Sequence, residues 1–133
     1  MPNEDSYLGN KNLKASDVPL DFTEEQVKEY LKCAAEPEYF IAKYVQIVNV
    51  DEGLVPFEMY DFQKDIINKI HKNRFVIAKL PRQSGKSTTV ISYLLHFVLF
   101  NPSVNVAILA NKLATARELL GRLKLAYEHL PKW

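Results

Sequence analysis

The chain has a single cysteine, Cys33, so no disulfide can close within it, and a reducing compartment fits that usage. Helix filling accounts for such a residue better than a reactive thiol does. Long hydrophobic runs are also missing. The most apolar stretch, residues 90–100, is interrupted by Ser92 and His96 and falls well short of the ~20 residues that a membrane span needs. The N-terminus Met1-Pro2-Asn3-Glu4-Asp5 is polar and acidic where a secretory signal requires a positive region and an apolar core. His71, His96 and His129 show no metal-ligand spacing and no nucleophilic partner, and they read as structural or surface residues. There is no internal repeat and no low-complexity tract. What remains is an ordinary globular balance: 133 residues, 47% hydrophobic and 25% charged, within the usual size of one domain.

A net charge of +1 conceals a polarised chain. Residues 1–60 hold 5 Lys/Arg against 12 Asp/Glu, a net of −7; residues 61–133 hold 12 against 4, a net of +8. A basic half suits a polyanion such as a nucleotide or nucleic acid, and solvated helix faces are the alternative.

Residues 1–21 lack hydrophobic periodicity and read as a leader or loose wrap. Thr23-Glu24-Glu25-Gln26 then forms a capping box, with Phe22 and Val27 placed as a hydrophobic staple. Val27, Tyr30, Leu31 and Ala34 follow at helical spacing and predict one apolar face. Pro37 ends this helix and can open a second, short one. Residues 46–50 and 54–57 flank Asp51-Glu52-Gly53, a hairpin with glycine in its turn. Helical spacing returns over 59–71 through Met59, Phe62, Ile66, Ile67 and Ile70. Then the period changes. Residues 75–78 are a short continuous apolar run, as expected of a strand buried on both faces. Residues 81–85 read as a loop, 86–100 as a helix apolar nearly all round, 104–110 as another short strand, and 113–130 as an amphipathic helix. Strand, helix, strand, helix predicts an α/β fold: a parallel sheet with crossover helices, preceded by a mostly helical segment.

The chemistry is carried by Pro81-Arg82-Gln83-Ser84-Gly85-Lys86-Ser87-Thr88. A triphosphate needs converging N–H donors, a cation near its β and γ groups, and a hydroxyl for its metal ion. A turn between strand and helix supplies the donors and the positive end of the helix dipole. Gly85 permits close backbone approach, Lys86 is the point charge, and Ser87 offers an oxygen to Mg²⁺ with Thr88 beside it. The common pattern G-x-x-x-x-G-K-[ST] is broken here, because Leu80 stands at the first glycine. A basic turn capped by Ser87 is the competing interpretation, and the strand-to-helix context favours phosphate.

At Arg82-Gln83-Ser84-Gly85-Lys86-Ser87-Thr88 the chain resembles the variant phosphate loop of the large terminase subunits of contractile-tailed bacteriophages, in which the first glycine is commonly absent. Tyr60-Asp61-Phe62-Gln63-Lys64-Asp65 is similar to that family's adenine-recognition segment, and Ile108-Leu109-Ala110-Asn111-Lys112 to its strand-to-loop motif. The resemblance implies a partial P-loop NTPase over residues 59–133, preceded by a helical segment and hairpin over 22–58 and a leader over 1–21. It also implies ATP and Mg²⁺ as cofactors, Gln63 reading the adenine edge, and catalytic roles for Lys86 and for Arg82 acting on the γ-phosphate. In a complete protein it implies an ATPase that drives double-stranded DNA into a capsid and cuts it. The implied partners are the portal, the small terminase subunit and further copies in a ring, without a membrane. The implied place is the host cytoplasm and, transiently, the procapsid portal vertex rather than the mature virion.

Hydrolysis also needs a metal-binding aspartate and a water-orienting glutamate, which in this family end a later strand. After residue 110 the acids are Glu118 and Glu128, both on the final helix. The expectation is therefore a fragment that stops before those carboxylates and before the nuclease domain, inactive alone and prone to aggregate where its strands lack partners. A superfamily-two helicase or translocase and a non-catalytic nucleotide-binding module stay open as alternatives.

Overall fold

A computed structural model describes residues 6–131 and 133. The first five residues of the expected leader lie outside the described residues. Within the rest of that stretch, β1 (Ser6–Tyr7) pairs antiparallel with β2 (Asn10–Lys14). The turn between them holds Leu8 at φ 51° and Gly9 at φ 78°.

The capping box forms at α1 (Glu24–Ala35). Gln26 N–H donates to Thr23 Oγ1 at 3.2 Å, and Thr23 N–H donates to Gln26 Oε1 at 3.0 Å. The face that α1 turns inward is not the one its apolar residues predict. Cys33 is buried, whereas Val27, Tyr30 and Leu31 remain exposed. The cause is polar. Glu29, one turn before Cys33 on the same face, accepts hydrogen bonds from Tyr39, Lys43 and Tyr44 of α2 (Pro37–Tyr44). Those ties fix the rotation of α1 about its axis. The Lys43 ammonium and the Tyr39 hydroxyl hold the Glu29 carboxyl down at about 2, and burial followed by the Glu29 contact pushes the Tyr44 hydroxyl up to about 12.

Pro37 opens α2 at its first turn, as expected. The predicted hairpin is β3 (Gln46–Asn49) against β4 (Gly53–Pro56), antiparallel, with Gly53 at φ 77° closing the turn. The remaining helices are α3 (Asp61–Lys72), α4 (Lys86–Phe100) and α5 (Leu113–Glu128). α4 is the centre of the molecule, packing on α2, α3 and α5. Around it Phe40, Ile41, Val45, Phe57, Ile67 and Leu95 form one core with Cys33, Tyr93 and Ala126. Ile41 and Ile67 are wholly buried. Polar groups inside α4 are satisfied: Thr89 Oγ1 donates to the Gly85 carbonyl and Ser92 Oγ to the Thr88 carbonyl, both at 2.8 Å. The His96 ring packs on Phe40 and Phe100, and its Nε2 donates to the Cys33 carbonyl at 2.8 Å. Burial pushes the His96 imidazole below its ordinary value, so it sits neutral in the core.

The parallel sheet does not form, and the expected partial P-loop NTPase core is corrected accordingly. The sheets among the described residues are the two antiparallel hairpins, β1–β2 and β3–β4. Residues 75–80 and 104–110 run without regular pairing, and their backbones make no hydrogen bond to any described residue. Phe75 is 84% exposed, Ile77 99% and Leu109 88%. A continuous apolar run marks a segment suited to burial as a strand, but a strand exists only where a neighbour completes its ladder. Neither segment serves as the other's neighbour. The fold is therefore a small mixed α/β assembly dominated by helices. No helix of the described residues is long and apolar enough to cross a membrane.

Candidate functional site

The turn entering α4 is built from backbone conformations that few residues adopt. Gln83 lies at φ 60° and Gly85 at φ 71°, two left-handed positions within three residues. Alternation of this kind turns successive N–H groups toward one side, the geometry of an anion-binding nest. Ser84 Oγ donates to the Pro81 carbonyl at 2.9 Å and closes the turn on itself. Gly85 is the N-cap of α4 and supplies no side-chain cap. The N–H groups of Lys86, Ser87 and Thr88, the first three positions of the helix, consequently have no acceptor among the described residues. The first cap-to-helix bond is Thr89 N–H to the Gly85 carbonyl at 3.0 Å. Three unclaimed donors point out of the positive end of a 15-residue helix.

Gly85 is required here for two reasons. Its φ of 71° lies in the left-handed region, which L side chains adopt at a cost. A Cβ at this position would also stand 2.6 Å from Gln63 Nε2. The structure thus brings Gln63 directly against the loop from 21 residues before Ser84. Gln63 is buried at the start of α3, where its Oε1 accepts from Tyr60 N–H at 2.9 Å and its Nε2 reaches the Ser84 carbonyl at 3.5 Å. The expected adenine-reading amide therefore has its acceptor oxygen engaged by the α3 N-terminus and its nitrogen turned to the loop. Tyr60 and Phe62, both exposed, stack on each other at the start of α3 with ring centroids 6.0 Å apart. Sequence reading did not foresee this wedge. The i, i+3 spacing of Tyr60 and Gln63, a helix start with glutamine at its third position, was the available signal.

Lys86 and Arg82 are exposed, and neither forms an ion pair with a described residue. Ser87 and Thr88 are half-buried on the first turn of α4. Beside Lys86 and Ser87 opens a groove of about 1110 Å³ between α3, α4 and the two unpaired segments. Lys72, Arg74 and Lys86 line it, and no carboxylate does. Glu118, one of the two acids after residue 110, is paired with Arg122 on α5 at 2.6 Å. Asn111 and Lys112 are exposed just before α5. His71 Nδ1 lies 3.2 Å from the Tyr93 hydroxyl, a structural contact beside His96. No group of three or more His, Cys, Asp or Glu suited to a metal ion occurs among the described residues.

The residues present offer donors and cations suited to a phosphate group. Unclaimed N–H donors, free cations and a hydroxyl at the helix start converge on one turn, and no acidic side chain lines the adjoining groove to repel an anion. The chain matches no protein-family model.

Proposed function

We propose that residues 81–88 grip the phosphates of ATP with Mg²⁺, and that the chain is the ATP-binding part of a DNA-packaging ATPase of the large-terminase kind. The observation that carries the first half is the trio of unclaimed N–H groups on Lys86, Ser87 and Thr88 beneath a left-handed Gly85. In this reading those amides and the loop backbone hold the phosphate oxygens. The Lys86 ammonium neutralises the β and γ groups, and Ser87 Oγ serves the metal ion. Arg82, free of any ion pair with described residues, is the second cation for the terminal phosphate. Pro81, Gln83, Ser84 and Thr88 set the loop's shape, and Gln63 braces it from α3.

The second half rests on the resemblance of residues 60–65, 82–88 and 108–112 to the terminase family. In the complete protein, hydrolysis would drive double-stranded DNA through the portal into a capsid, in concert with the small terminase subunit and further copies of the large subunit, in the host cytoplasm at the procapsid vertex. One observation favours a narrower second reading for these residues alone, namely nucleotide binding without turnover. The groove beside Lys86 and Ser87 has no carboxylate to complete a metal site or orient water.

Calorimetric titration with Mg·ATP, repeated on Lys86→Ala and paired with phosphate-release measurements, tests both. Saturable heat that the substitution weakens by ~10–100-fold supports the site, and absence of phosphate release favours the narrower reading. Folded protein giving no heat at millimolar Mg·ATP refutes the phosphate loop.

A further inference from the structure

A cavity of about 260 Å³ opens at the far end of α4 from the phosphate loop. With 15 residues in that helix, about 20 Å separates the two. Its walls come from α1, α2, β2 and the C-terminal ends of α4 and α5. Aromatic side chains dominate: Tyr30, Phe40, Tyr44, Phe100, Tyr127 and Trp133 all line it. These rings hold one another in place and so keep the space open. Phe100 meets Tyr30 at 5.1 Å and Phe40 at 5.4 Å between centroids. Trp133 stands edge-on to Tyr44 at 6.2 Å, and the Tyr44 hydroxyl is tied to Glu29 at 2.9 Å. A dry apolar cavity of ~150 Å³ already takes up benzene, so this one has room for a substituted ring.

One charge bears on the cavity. Lys14 of β2 lines it, half-buried, and its ammonium uses one of three donors on the Val18 carbonyl at 2.9 Å. Lys14 forms no ion pair with a described residue, and no carboxylate among the described residues lines the cavity. Glu29, which Tyr44 contacts, is already matched by Lys43. Aromatic walls alone would suit an organic cation, whose charge the ring faces attract. The ammonium reverses that choice, because it repels a cation and offers two donors to an anion. We infer that this cavity binds a small aromatic carboxylate, its ring among the aromatic side chains and its carboxylate on Lys14 Nζ. The inference does not depend on nucleotide binding at residues 81–88.

The probes are phenylacetate, phenylacetamide and phenethylamine, three charge states on one ring, titrated into the full chain. Trp133 is the single tryptophan, so its fluorescence reports on this cavity. Phenylacetate is expected to shift that emission saturably, and excess Mg·ATP should not displace it. The amide should bind at least ~10-fold more weakly, the range of a lost charged hydrogen bond, and the amine more weakly still. Lys14→Met keeps the apolar stem, so the variant should retain its circular dichroism and bind acid and amide alike. The three-ligand comparison on the unaltered chain decides the matter even where that variant does not fold. Emission unmoved at millimolar phenylacetate would overturn the inference. So would an amide or amine that binds as tightly as the acid, or a folded Lys14→Met variant that keeps the preference for the acid.

Discussion

Replacing Gly85 by alanine perturbs the loop in two separable ways. The first is local: a left-handed φ of 71° costs an L residue ~1 kcal/mol or somewhat more. The second is a collision, because the new Cβ stands 2.6 Å from Gln63 Nε2, where ordinary contact begins near ~3.4 Å. Gln63 is 3% exposed and held at its oxygen by Tyr60 N–H, so its amide yields only by giving up one or both of its hydrogen bonds, at ~1 kcal/mol each. The combined expectation is a loss of ~2–3 kcal/mol, shared between the stability of the α3–loop contact and the affinity for phosphate. The assay is a double-mutant cycle in urea unfolding and in Mg·ATP titration, comparing Gly85→Ala, Gln63→Ala and the pair. Truncating Gln63 removes the collision but leaves the backbone penalty. The pair should therefore be less damaged than the two single effects summed, with a coupling of ~1 kcal/mol. Strict additivity, or a Gly85→Ala variant indistinguishable from the parent, would show that the glutamine does not brace the loop.

Lys86→Ala should weaken Mg·ATP by ~10–100-fold, the range of a lost charged hydrogen bond, while leaving urea unfolding unchanged because the side chain is exposed. Gln63→Ala should destabilise the chain by ~1–2 kcal/mol through the lost tie to Tyr60 N–H, and should flatten any preference for ATP over GTP; a preserved base ratio removes the adenine-reading role. Acid should act in two stages. His96 is held below its ordinary 6.5, so the unfolded chain binds a proton there that the folded chain refuses, and stability falls as pH drops below about 6.5, with a slope of at most ~1.4 kcal/mol per pH unit. Glu29, held at about 2 against an ordinary 4.5, contributes stability that is present above 4.5 and lost as pH falls toward 2; urea midpoints across this range, with His96→Gln removing the first stage, check both.

Local chemistry made much of the chain legible. The capping box at Thr23 and Gln26, Pro37 at the start of α2, the Gly53 hairpin and the full span of α4 depend on residues within a few positions of one another, and all formed as expected. The strand at 75–78 did not, although its composition is as clear as any in the chain. Its identity depends on a ladder partner, and the apolar run carries no information on whether one is available. The rotation of α1 was hidden for a related reason: Val27, Tyr30 and Leu31 define the apolar stripe, but contacts to Glu29 from ten to fifteen residues away decide which face turns inward. At the site, the glycine and the basic residues were readable from the loop. The contact of Gln63 with Ser84 and Gly85 was not, because it depends on where α3 docks against the loop.

The central claim is that the free amides at the start of α4 bind phosphate. It is met most directly by recording backbone amide resonances of the isotope-labelled chain during titration with Mg·ATP. Saturable shifts concentrated at Lys86, Ser87 and Thr88, requiring ~10–100-fold more nucleotide in Lys86→Ala, are the expected result. Shifts scattered over the surface, or a spectrum unmoved at millimolar nucleotide, would contradict it.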